Sequence, residues 1–240
     1  MNTVVKMSSV ALLLAVLPSF VLGKYVDTHD RMGKEPRSLL VKCFLGGLVS
    51  IIITLVINDL ASLVVDTDST FVELPMLAIH CLLDVSLVEE FSKWIVLKKI
   101  TWNNKEFDHI YDAIVYSVFV SLGFATIENI LYIIGSDFSL SLAIMRAILS
   151  VPGHVFFAVF MGYNYGIAKQ AYINGNKNIY KSRMFYSLFI PTLLHGIFDF
   201  CLLSKSGIIL LVYLIFIIFL YIKAFSTVNR ISKVNRNMKD

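Results

Sequence analysis

Seven stretches of this chain are apolar over lengths that match the hydrocarbon core of a bilayer. At about 1.5 Å per residue, a helix needs about 17–25 residues to cross that layer. Runs of this kind fall at about 7–23, 39–57, 74–97, 109–134, 139–168, 184–203 and 207–222. Lipid offers no hydrogen bonds to a bare backbone, so such runs must close their own as helices. The fold class predicted is all-α: a polytopic transmembrane bundle of about seven helices, forming one membrane domain over 1–240. Composition agrees, because 16% of the residues are charged where a soluble domain carries roughly 25%.

The loop charges orient the bundle. With all seven helices kept, one set of loops holds Lys24, Arg31, Lys34 and Arg37, then Lys98, Lys99 and Lys105, then Lys169, Lys177, Lys181 and Arg183. The opposite set holds Lys6 and Lys205, and its loop 58–73 is acidic, with Asp59, Asp66, Asp68 and Glu73. Lys and Arg concentrate in cytoplasmic loops, so the N-terminus is expected outside and the C-terminus inside. The first run has the outline of a cleaved signal peptide. Removing it would leave basic segment 24–37 outside, so 1–23 is read as a first transmembrane helix. Segment 24–37 then reads as a solvated cytoplasmic turn. Segment 223–240 reads as a basic, partly disordered cytoplasmic tail near anionic lipid. The lipid bilayer accounts for the +4 net charge, and no nucleic-acid partner is implied. Cys43, Cys81 and Cys201 lie in apolar runs without metal-site spacing and read as small buried hydrophobes.

The third run carries Glu89, Glu90 and Lys93 within five residues. An ionised group in the middle of a membrane helix costs roughly 2.5–3.5 kcal/mol on insertion scales, so a helix that merely spans would not carry three. Positions four apart share a face, which lets Glu89 pair with Lys93 and His80 with Asp84. The second carboxylate then needs a partner elsewhere, a proton or a metal. A lone structural ion pair explains one glutamate but not two.

The next three runs each add polar groups. The fourth holds Glu128 and Asn129 deep inside and Asp112 near its start, where an interfacial, structural role is the simpler reading. The fifth holds Arg146 and His154, with a kink expected at Pro152-Gly153. The sixth holds His195 and Asp199 on one face, so that the acid can orient the imidazole. Convergence of helices three to six on one buried polar site is the economical explanation. Straight helices of these bounds would leave Glu128 and Asp199 about 10 Å nearer the outside than Glu89 and His154; convergence therefore requires tilt or a kink. Such a site could belong to a hydrolase, a metal centre, or a proton-coupled transporter or channel. It could also be the polar glue of a non-catalytic scaffold.

These motifs resemble the PrsW-type intramembrane proteases, distant relatives of the CAAX-prenyl endopeptidase and bacteriocin-processing superfamily. The resemblance rests on Glu89-Glu90-x-x-Lys93; on Asp112, Ala113, Tyr116, Gly123, Phe124, Ala125, Glu128 and Asn129; on Arg146 and His154; and on His195-Gly196-x-x-Asp199. Asp30 and Lys34-Glu35-Pro36 resemble the family's polar segment after the first helix. It implies a peptidase in the bacterial cell membrane that cuts a membrane-anchored protein, such as an anti-sigma factor. It implies a water activated by Glu89 or Glu90. It implies an oxyanion or leaving amine served by His195 with His154 or Asn129. Asp199 would orient His195, and Lys93 would hold one glutamate ionised. No cofactor is required on this reading; the alternative is zinc held by Glu90, Glu128, His154 and His195.

Overall fold

The computed structural model describes residues 2–31, 33–62, 73–234 and 238. Asp66 and Asp68 of the acidic loop, and Arg236 and Lys239 of the tail, lie outside the described residues. Seven continuous helices account for the described chain. They are α1 (Asn2–Thr28), α2 (Arg37–Ser62), α3 (Leu74–Ile79, a π-helical stretch His80–Leu87, then Val88–Thr101) and α4 (Ile110–Gly135). They continue as α5 (Leu140–Met145, a π turn Arg146–Ser150, then Val151–Ile173), α6 (Lys177–Leu203) and α7 (Gly207–Val234). All but α3 are long and apolar enough to cross a membrane. The exception is the helix that carries the glutamate pair, where charge lowers the hydropathy.

The helix α4 is the axis of the bundle. Its residues from Tyr111 to Val118 are all buried, and α1, α2, α3 and α5 pack around it. Close approach to α2 depends on glycine. A Cβ on Gly123 would fall 2.0 Å from the Phe44 carbonyl oxygen, and one on Gly47 would fall 1.9 Å from that of Val120. Hydroxyls join α4 to α5, where Ser117 donates to the Ala158 carbonyl and Ser121 to that of His154. The helix α1 belongs to the same packing: Thr126 donates to the Ser19 hydroxyl, and Tyr111 to the Val26 carbonyl. Apolar side chains such as Phe20, Ile52, Ile148, Leu211 and Ile215 point outward, as lipid-facing surface requires.

Several expectations change on contact with the structure. The helix α5 is unbroken through Pro152. A π turn, Arg146–Ser150, lies just before it. Proline lacks the N–H that would bond the Ile148 carbonyl four residues back; the Tyr221 hydroxyl of α7 donates to that carbonyl instead, at 2.9 Å. The tail beyond residue 222 is not irregular but continues α7 to Val234. Its Val228 and Ser232 are buried, and the Met238 N–H reaches the Asp108 carbonyl. Nor is segment 24–37 simply solvated. The helix α1 runs to Thr28, and Asp30 and Glu35 are buried against α4.

Candidate active site

Helices α3 to α6 bring Glu89, Glu90, Lys93, Glu128, His154, His195 and Asp199 into one cluster. Glu128 and Asp199 do not form a separate outer layer, because Glu128 stands 2.9 Å from His154 and Asp199 stands 3.3 Å from His195. The π segments of α3 and α5 both lie next to this cluster, where a single wide turn changes the register of the side chains.

Lys93 lies at the centre, buried and turned inward, not snorkelling to an interface. The sequence suggested a Glu89–Lys93 pair at four-residue spacing. The shorter contact is with Glu90, three residues away: Nζ lies 2.7 Å from Glu90 Oε1 and 3.6 Å from Glu89 Oε2. The same ammonium lies 3.3 Å from His154 Nδ1 and 4.2 Å above the Phe124 ring centroid. An ammonium can only donate, so His154 Nδ1 accepts and its Nε2 carries the proton. That Nε2–H then donates to Glu128 Oε2.

His195 lies on the other side of Glu90. Its Nδ1 lies 3.0 Å from Glu90 Oε1, and its Nε2 lies 3.3 Å from Asp199 Oδ2. Both nitrogens face carboxylates, which a ring donating from both sides satisfies. Phe157 of α5 stacks on this ring, centroids 4.9 Å apart, and fixes its plane. Gly196 lets α6 close on α3, since a Cβ there would meet Leu82 and Ser86 at 3.0–3.1 Å.

A single chain of contacts therefore runs from Glu128 through His154, Lys93, Glu90 and His195 to Asp199. Glu89 stands outside it. Its Oε2 is buried, within ion-pair reach of Lys93 and 4.0 Å from His195 Nε2, yet makes no hydrogen bond. Glu89 also lines a cavity of about 330 Å³, together with Glu128, His154, His195, Asp199 and Arg146. Glu90 lies behind that wall. So does Asn129, whose Oδ1 accepts from Arg146 and whose Nδ2 reaches the Ala15 carbonyl at 3.5 Å.

Two buried polar features were not assigned from sequence. Arg146 was visible in its run, but nothing in the spacing disclosed that it would meet Glu128. The wide turn of α5 brings it there. Glu35 was part of a polar loop, yet it accepts a hydrogen bond from the buried Tyr116 hydroxyl of α4. Burial pushes this carboxyl up to about 7; the Tyr116 bond opposes the rise and the Asp30 charge adds to it. Asp112 has the structural role expected of it. It caps α4 by accepting from the Asp108 and His109 backbone N–H groups.

Among the described residues, Glu89, His154 and His195 form one group whose donor atoms lie within 4.8 Å of one another, all buried. Glutamate with two histidines is a zinc donor set. The charges also fit, since among the described residues Glu89, Glu90, Glu128 and Asp199 face only Lys93 and Arg146 as fixed cations. Protons or a divalent cation can balance the excess.

A family model described as PrsW family intramembrane metalloprotease matches residues 35–224. A Protease PrsW of Clostridioides difficile (strain 630) is 37% identical over 212 residues, 87% of this chain and 86% of its own length. One of Oceanobacillus iheyensis (strain DSM 14371 / CIP 107618 / JCM 11309 / KCTC 3954 / HTE831) is 33% identical over 92% of this chain and 94% of its own. One of Bacillus subtilis (strain 168) is 34% identical over 80% and 82%. No solved structure matches.

Proposed function

This chain belongs to the PrsW family of intramembrane proteases, and on that premise we propose that it cuts a membrane-anchored protein, such as an anti-sigma factor, with a water activated by Glu89. The observation that carries this reading is the isolation of Glu89. It is the one carboxylate of the pair that faces the cavity, and its buried Oε2 has no hydrogen bond to give up before it takes a proton. Glu90 Oε1 is already held by Lys93 and His195, and its Oε2, equally without a hydrogen bond, does not line the cavity.

In this scheme a water in the cavity loses a proton to Glu89 as its oxygen attacks the scissile carbonyl. His195, which lines the same cavity, shares its Nε2–H between Asp199 and the oxyanion and delivers that proton to the departing amine as the C–N bond breaks; the proton on Glu89 then returns to His195. Glu90 and Asp199 hold the ring from its two nitrogens. Lys93 is the counter-charge that holds Glu90 ionised. Loop charge supports an outside N-terminus and an inside C-terminus in the bacterial cell membrane.

The donor group supports a second reading, in which Glu89, His154 and His195 hold a divalent metal such as zinc. Bound there, it would polarise the scissile carbonyl and acidify a water. Glu90 would support His195 from its other nitrogen. With Nε2 as the ligand atom of each ring, His154 would have to release Glu128 and His195 would have to release Asp199, and uptake would release protons from the site.

The test compares new protein N-termini in membranes from cells making the wild type and cells making Glu89→Gln. Termini that vanish with Glu89→Gln support the protease reading and identify a substrate; identical termini would overturn it. Purified enzyme is then assayed after exhaustive chelation, with metal content measured. Cleavage by metal-free protein supports the glutamate-activated water. Loss that zinc restores supports the second reading.

A further inference from the structure

We propose that Arg146 is a positioning residue, fixing Glu128 so that His154 keeps its proton on Nε2 and its Nδ1 towards Lys93. This rests on the protease reading above and deepens it.

Arg146 opens the π turn of α5 and reaches across to three residues of α4. Its Nη2 stands 2.9 Å from Glu128 Oε2, an ion pair lying off the hydrogen-bond line. Its Nε donates to Asn129 Oδ1 at 2.7 Å. Its guanidinium lies 3.9 Å over the Tyr132 ring centroid. Glu128, Asn129 and Tyr132 lie within two turns of one helix, so the planar guanidinium is held on three sides.

The consequence passes through one oxygen. Glu128 Oε2 is both the atom facing Arg146 and the atom that accepts from His154 Nε2. Holding that oxygen holds the imidazole, and the imidazole's other nitrogen faces the ammonium that is bonded to Glu90 and lies 3.6 Å from Glu89. An unheld Glu128 could turn to solvent in the cavity, and the ring could then turn or exchange tautomers. Lysine is a point cation on a flexible stem. It could not bond Asn129, pair with Glu128 and stack on Tyr132 in one plane.

The probe is a tagged single-span reporter built around a terminus found in the wild-type against Glu89→Gln comparison. The proteins are wild type, Arg146→Lys and Arg146→Ala, in detergent, with thermal aggregation measured beside cleavage. For Arg146→Lys we expect wild-type thermal stability, little change in KM and a fall in kcat of about 10²-fold, the scale of a small misplacement of reacting groups. Added guanidinium should restore Arg146→Ala by at least about tenfold, and methylammonium should not. Should Arg146→Ala fail to accumulate, the lysine variant decides. Wild-type kcat in Arg146→Lys would overturn the proposal. So would a loss of activity that only parallels lost thermal stability, because that is a clamp between α4 and α5 and no more. Failure of the protease reading is separate: Glu89→Gln would then cleave as the wild type does.

Discussion

Lys93 is hydrogen-bonded to Glu90 and not to Glu89, its Nζ standing 2.7 Å from one carboxylate and 3.6 Å from the other. On the mechanism proposed above, this asymmetry makes Glu90 the structural acid of the pair and Glu89 the reactive one. The two glutamines should therefore behave differently. Glu89→Gln should lower cleavage by about 10²–10⁴-fold, the range lost with a general base, while the protein accumulates and melts as the wild type does. Glu90→Gln should lower both cleavage and thermal stability, because it removes the negative charge that Lys93 and His195 share. Equal melting for the two variants would contradict the division of roles.

Removing the cation is the complementary change. Lys93→Met leaves Glu90 buried without its counter-charge, a loss of about 3–5 kcal/mol for a broken buried pair. The double variant Lys93→Met with Glu90→Gln should recover part of that loss, because no lone charge is left. Thermal aggregation of the four proteins in one detergent completes the cycle, and a simple sum of the two single effects would rule out direct coupling.

Glycine at the α2–α4 crossing is expected to be intolerant. Ordinary overpacking costs about 1–3 kcal/mol. In Gly123→Ala the new carbon would lie 2.0 Å from a backbone oxygen, so the helices themselves must move. The variant should fail to accumulate, or should melt far below the wild type. Gly135→Ala, with nothing within 4 Å of the added carbon, is the control and should shift stability by no more than about 0.5 kcal/mol.

Sequence reading located all seven helices, because apolar length is a strong signal and helix is the answer lipid allows an unbroken run. It was weaker at the ends. The helices α5 to α7 run past their apolar stretches, since backbone hydrogen bonding continues where side chains are already polar. Four-residue spacing found the His80–Asp84 and His195–Asp199 contacts, at 3.0 and 3.3 Å. It missed that Lys93 would favour Glu90, because three-residue spacing is equally close on a helix and the choice falls to groups on other helices, here His154 and Phe124. Arg146 was illegible for a different reason. A π turn shifts the facing of every later residue, and neither Pro152 nor Gly153 announces a wide turn ahead of itself. The burial of Glu35 was hidden by its charged neighbours Lys34 and Arg37. Its partner Tyr116 lies far along the chain.

Glu35 gives the last prediction, and its sign follows from the direction of the shift. Its carboxyl is raised by burial to about 7 in the folded protein, against about 4.5 when exposed. Between these values the folded chain binds the proton that the unfolded chain has lost, so stability falls as pH rises through the window. The groups around it are Asp30 before it, Asp112 and Tyr116 on α4, and Asp108 at the entry to α4. The glutamine in Glu35→Gln can still accept from Tyr116 and has no proton to lose. Wild type and variant should therefore melt alike near pH 4.5. The variant should become more stable as pH rises, by an amount of order 1–3 kcal/mol above pH 7. Melting curves of both proteins in one detergent from pH 4.5 to 8 test this. A difference that stays constant, or that shrinks towards high pH, would mean that Glu35 is ionised in the folded protein throughout.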